Sequence, residues 1–225
     1  MEMGEMQYKV KALVFVGMML TVFFVVTGSL AYAAENEQAA IEWHDKGVAY
    51  YAQEDYDKAV EAYSEAIRLN PKYVNAYFGR GNAYDEKGAY DQAIADFNQA
   101  ISLDPARVDS YFNRGLSYFK QGAYDQAIAD YDQALALSPK DEQIYNNRGN
   151  AYHEKGLYDQ ALADFNQAIA LNAKYANAYY SRGDTLAALG RKAEAVNSFR
   201  GFIDLASPSS PRIVQAKQRI QELEE

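Results

Sequence analysis

From residue 40 onward, apolar residues recur at helical spacing in pairs of short blocks. In the clearest pair, Tyr77, Gly81 and Tyr84 share one face of a first helix, and Ala93, Phe97 and Ala100 share one face of a second. Between the blocks stands Gly88, a natural residue for a helix C-terminus because it tolerates positive φ. Asp91 then lies near the start of the second helix, where a negative charge suits the dipole, and Asp57, Asp125 and Asp159 repeat it. Pro71, Pro105 and Pro139 follow the second blocks, since proline cannot continue a helix. The pattern therefore predicts helix, turn, helix, turn, with bulky residues filling the space beside small ones.

The pattern is periodic. Gly47, Gly81, Gly115, Gly149 and Gly183 stand 34 residues apart, and so do Ala59, Ala93, Ala127, Ala161 and Ala195. A fixed period of this length predicts an all-α stack, an α-solenoid of five helix-turn-helix repeats, in place of a single globular core. The units are 40–73, 74–107, 108–141, 142–175 and 176–209, after a linker over 34–39. The small residues let helix backbones approach closely, so a large residue at Gly115 overpacks the junction, at a cost of about 1–3 kcal/mol. Beyond the repeats, Ile213, Ala216, Ile220 and Leu223 fall on one face of 210–225, read as a capping helix over the last unit.

The front end differs from the rest. Lys9 and Lys11 precede an apolar stretch that ends in Gly28-Ser29-Leu30 and Ala31-Tyr32-Ala33, the order of an export signal cut after Ala33. The stretch from Ala12 to Leu30 is 19 residues, also close to spanning length, so an uncleaved membrane anchor is the alternative reading of 1–33. Glu2 and Glu5 dilute the basic start, and initiation at Met6 would remove both. Either reading places the repeats outside the cytoplasm: periplasmic or secreted if the segment is cut, membrane-anchored if it stays.

Composition narrows the chemistry. A formal net charge of −9, with no run of Lys or Arg, argues against nucleic acid, which needs a basic stripe. The absence of cysteine excludes disulfides, thiolate chemistry and cysteine zinc sites. His44 and His153, the only histidines, lie in different units, so no shared metal site is expected. There is no glycine-rich phosphate loop, nucleophile elbow or clustered acid–base set, and neither catalysis nor a cofactor is expected.

Trp43, Gly47, Tyr50, Ala59, Tyr63, Ala66 and Pro71 in the first unit, matched equally well in the second and third, resemble the tetratricopeptide repeat (TPR) family signature. The fourth unit departs with Ala173 for proline, and the fifth with Leu186 for tyrosine and Phe202 for the last alanine. The resemblance implies a superhelix whose concave face is lined by first helices. On a helical wheel a second stripe lies roughly 110° from the packing stripe. It holds Asn75, Phe78 and Asn82 in the second unit, and Asp109, Phe112, Leu116 and Phe119 in the third. The fourth unit contributes Gln143, Asn146, Asn150 and His153, and the fifth Asn177, Tyr180 and Asp184. Unlike the packing positions these vary from unit to unit, as a partner-reading surface should. Amides for a peptide backbone beside aromatic anchors fit an extended protein or peptide segment. Phe112 and Phe119 are the foremost candidate anchors. No Lys or Arg falls on the stripe, which disfavours the carboxylate clamp that some members of the family use.

Three further expectations follow. Arg80, Arg114, Arg148 and Arg182 recur about 180° from the groove stripe, opposite Asp96, Asp130 and Asp164, and predict a structural Arg–Asp ladder. Tyrosines at the Tyr63, Tyr77, Tyr84 and Tyr90 positions read mostly as core. The function expected is a non-enzymatic interaction scaffold with a protein or peptide partner. The alternative is a membrane-tethered subunit that self-associates through its end repeats, with Phe202 and the C-terminal helix as contact.

Overall fold

The computed structural model describes residues 34–225, so the signal or anchor expected over 1–33 lies outside the described residues. Those residues form eleven helices and no strand. They are α1 (34–52), α2 (Tyr56–Leu69), α3 (Val74–Glu86), α4 (Tyr90–Leu103), α5 (Val108–Lys120), α6 (Tyr124–Leu137), α7 (Glu142–Glu154), α8 (Tyr158–Leu171), α9 (Ala176–Ala188), α10 (Lys192–Leu205) and α11 (Arg212–Glu224). The chain divides into two compact units between Gly79 and Arg80.

In the first unit, Tyr63 of α2 is the central side chain, only 3% exposed. A Cβ at Gly47 would meet its ring at 2.6 Å, and one at Gly79 would do the same. Both glycines are thus required by close approach. Burial pushes the Tyr63 phenol up to about 12. The turn before α2 places Glu54 at φ 60°, the left-handed region that later turns fill with glycine. Asp55 follows and caps α2, its carboxylate accepting from the Lys58 backbone N–H at 3.2 Å.

The second unit repeats one packing motif four times. Phe97, Tyr131, Phe165 and Phe199 are fully buried on second helices, each against the glycine sixteen residues earlier on its own first helix. A Cβ would sit 2.7 Å from the aromatic ring at Gly81, Gly115 and Gly149, and 2.8 Å at Gly183. Each helix pair then packs on the next, α4 on α5, α6 on α7 and α8 on α9, so contacts run between neighbours as a solenoid requires. First helices also touch across repeats, α5 with α7 and α7 with α9. At the end, α11 packs on α10 and buries Ala216, with Ile213, Ile220 and Leu223 against Phe199 and Phe202. Phe202, named as a contact in the self-association alternative, is therefore internal at 2% exposure. The tyrosines also differ from expectation. Tyr63 and Tyr131 are buried, while Tyr77, Tyr84 and Tyr90 are only half-buried.

The arginines expected as a ladder form one, and they tie in two directions. Within each repeat, Arg80, Arg114 and Arg148 donate through Nε and Nη2 to both carboxylate oxygens of Asp96, Asp130 and Asp164, at 2.5–2.8 Å. Across repeats, the Nη1 of Arg114 donates to Asn98, and that of Arg148 to Asp132, both at 2.5 Å on the preceding second helix. The bonds to Asp130 and Asp164 raise the Arg114 and Arg148 guanidinium pKa values above the ordinary one, so both arginines stay charged. Asp130→Asn leaves a half-buried guanidinium without its counter-charge and is expected to lower unfolding free energy by roughly 1–3 kcal/mol in chemical denaturation. Gly115→Ala, in the same assay, is expected to cost about 1–3 kcal/mol through overlap with Tyr131. Unchanged midpoints would refute either reading.

Candidate functional site

The variable stripe of the first helices meets three different fates. Asn75 is exposed and Phe78 half-buried, both in the first unit. At the start of the second unit, Asn82 is closed off internally: its Oδ1 accepts from Asn113 Nδ2 of the next first helix at 2.8 Å. Its neighbour Asp85 accepts from Ser117 Oγ at 2.7 Å and pairs with Lys120. Polar groups here satisfy one another.

In the third repeat the stripe is apolar and partly committed to packing. Phe112 lies half-buried with its ring centroid 6.0 Å from that of Tyr131, and Leu116 packs on the same cluster. Phe119 tilts against Tyr124 at 5.4 Å. Asp109 and Gln143 are exposed, and the Gln143 carbonyl accepts from Asn147 Nδ2 at 2.8 Å.

In the fourth and fifth repeats the stripe opens into a cavity of about 450 Å³. Phe119, Asn146, Asn150 and Tyr180 line it, together with His153, Asn177 and Asp184 from the same stripe. Asn146 is the informative member. It is 5% exposed, and its Oδ1 has no hydrogen-bond donor. A buried amide oxygen without a donor costs about 1–3 kcal/mol, so this one is poised for a donor from outside the chain. The Ser110 and Tyr131 hydroxyls are also buried without partners, but neither lines this cavity.

His153 is tied to the next first helix: its Nδ1 lies 2.8 Å from Thr185 Oγ1, which also reaches the Ser181 carbonyl at 2.9 Å. Burial raises the Asp184 carboxyl above the usual range, opposed by Arg219 at 3.6 Å. Burial likewise raises the phenols of Tyr175 and Tyr180.

Five lining residues fall outside the stripe: Asn147, Glu154, Tyr175, Ser181 and Arg212. Arg212 comes from α11 and stacks over Tyr180, guanidinium carbon 5.3 Å from the ring centroid. The repeat register carries no signal for it, because α11 lies beyond the last repeat. The stripe itself holds no Lys or Arg, yet α11 brings Arg212 and Arg219 to its end. Among the described residues, no cluster of His, Asp or Glu is arranged to hold a metal ion. The arrangement suits hydrogen bonding and ring stacking against an extended chain.

Comparison with known proteins agrees with this architecture. The family profile described as "TPR repeat" matches residues 47–88, 81–122, 115–156 and 149–190, and "Tetratricopeptide repeat" matches 176–208. No curated protein matches the sequence. Among solved structures, "YrrB: a TPR protein with an unusual peptide-binding site" is 24% identical, with TM-score 0.66 over 82% of this chain and 95% of that one. MamA is 22% identical, with TM-score 0.65 over 78% and 96%. PilF of Pseudomonas aeruginosa is 14% identical, with TM-score 0.68 over 84% and 90%. At these identities the structures share the fold. With the repeat profiles covering most of its length, the chain belongs to the tetratricopeptide repeat family.

Proposed function

We propose that this chain is a non-enzymatic scaffold, outside the cytoplasm, that holds an extended protein or peptide segment against the first-helix face at α7 and α9. The observation that carries the reading is Asn146: a buried side chain whose amide oxygen has no donor, among the residues that line a cavity of about 450 Å³. Backbone N–H groups of a bound segment would satisfy it. Asn150 supplies an amide for a carbonyl, and Phe119 and Tyr180 supply apolar faces for side chains. The peptide-binding site named for YrrB gives a precedent on the same fold. Placement outside the cytoplasm rests on the order of basic, apolar and small residues over 1–33, and cleavage after Ala33 is the favoured form.

Asn146→Leu separates binding from folding. Replacing the orphaned amide by an apolar group of similar size is expected to raise unfolding free energy by about 1 kcal/mol. The same variant should lose a partner that the wild-type chain captures in a crosslinked pulldown from its native envelope. Equal capture by both would move the site elsewhere, and capture of only its own chain would favour self-association. N-terminal sequencing of the protein from fractionated cells should read Ala34 in a fraction outside the cytoplasm. A cytoplasmic product retaining the leader would overturn the location.

A further inference from the structure

A second cavity, of about 540 Å³, is lined by α8, α9 and α10, and shares no lining residue with the first. At its base is Arg182, the final member of the arginine ladder, where the ladder changes. Arg80, Arg114 and Arg148 each grip both oxygens of an aspartate sixteen residues on, and at that place the fifth repeat has Ser198. Arg182 Nε donates to Ser198 Oγ at 3.1 Å and Nη1 to Asn166 Oδ1 at 3.0 Å, two neutral acceptors. Among the described residues, no carboxylate hydrogen-bonds its guanidinium, and the Nη2 edge that meets an aspartate in the preceding repeats has no acceptor.

The rest of the ladder geometry is kept. Arg182 lies over Tyr179 at 5.3 Å, as Arg148 lies over Tyr145 at 5.5 Å. Gly201 leaves room for that ring, since a Cβ there would stand 2.9 Å from it. Burial draws the Arg182 guanidinium below its ordinary value, opposite in direction to Arg114 and Arg148. The nearby rim charges are Arg191 and Glu194, which pair with each other at 2.6 Å, and Asp159. None bonds Arg182.

We propose that this groove is a second binding site, independent of the first-helix cavity, in which Arg182 receives the carboxylate of an acidic side chain from a partner polypeptide. The planar, two-pronged guanidinium edge matches a carboxylate, and the chain itself uses that pairing in three preceding repeats. A polypeptide source fits because the cavity is far larger than one carboxylate. Asn166 and Asn197 flank it with amides for a backbone, beside Leu162 and Leu186.

The test uses the isotope-labelled full-length chain and the Nε–H resonance of Arg182, identified by its loss in Arg182→Lys. Titration with acetyl-Ala-Glu-Ala-amide should move that resonance saturably, and the Gln counterpart should not. Ser198→Asp supplies the aspartate internally. It should raise the melting temperature and weaken the Glu peptide at least tenfold. Equal response to the Gln peptide, unchanged binding by Ser198→Asp, or a lowered melting temperature in that variant would each overturn the proposal. Saturation by inorganic phosphate in preference to the Glu peptide would overturn the carboxylate assignment. Acetate binding as tightly as the peptide would overturn the polypeptide source.

Discussion

The second unit depends on one contact made four times: an aromatic ring on the second helix set close against a glycine on the first. With the ring that close to Cα, the two helices of a repeat can only pack at one height and one separation. The neighbouring residue pair, arginine before the glycine and aspartate before the aromatic, then falls into register without further adjustment. Gly115 and Tyr131 thus determine where Arg114 meets Asp130. The ion pair follows from the packing. Its contribution is to lock a geometry that hydrophobic burial has already chosen, and to exclude other registers, since a shifted arginine would leave a buried aspartate unpaired.

This order of causes explains why the fold was easily read and the site only partly. Gly81, Ala93, Phe97 and their equivalents do the same physical job in every repeat, so repetition itself exposes them. The helices, their turns and the Arg–Asp ladder could all be read from period and spacing. The stripe from Asn82 to Asp184 could be placed by the wheel, but its members could not be ranked, because ranking depends on pairing between repeats. Asn82 and Asn146 are both stripe asparagines. One is bonded to Asn113, and the other is buried without a donor. The two stand at different places in the repeat, Asn82 in the register of Asn150 and Asn146 in that of Phe112 and Tyr180, and what each meets is set by side chains of neighbouring repeats, which no single unit records.

Arg212 and Phe202 are hard to place from the sequence for a related reason. Both belong to the end of the array, where the 34-residue register no longer applies. Phe202 breaks the repeat's alanine and is named as a contact in the self-association alternative, and it is buried in the cluster that α11 joins. Arg212 carried no positional signal at all, yet it stacks on Tyr180 at the mouth of the cavity. Ends of repeat arrays must satisfy faces that interior repeats satisfy for one another, so their residues follow local geometry instead of the common pattern.

Every tie described in the second unit is short in sequence. Aromatic meets glycine, and arginine meets aspartate, at sixteen residues. Asn82 meets Asn113 at a separation of 31, and Asp85 meets Lys120 at 35. No contact has to wait for the far end of the chain to arrive, so the entropy of closing long loops never enters its assembly. The same arithmetic bears on how such a protein can change length. Inserting or deleting 34 residues, or a multiple of 34, leaves each of these separations intact, whereas any other number breaks the set at the point of change. The array is thus free to grow by whole units and resistant to growth by parts, which makes duplication, more than gradual extension, the route open to it.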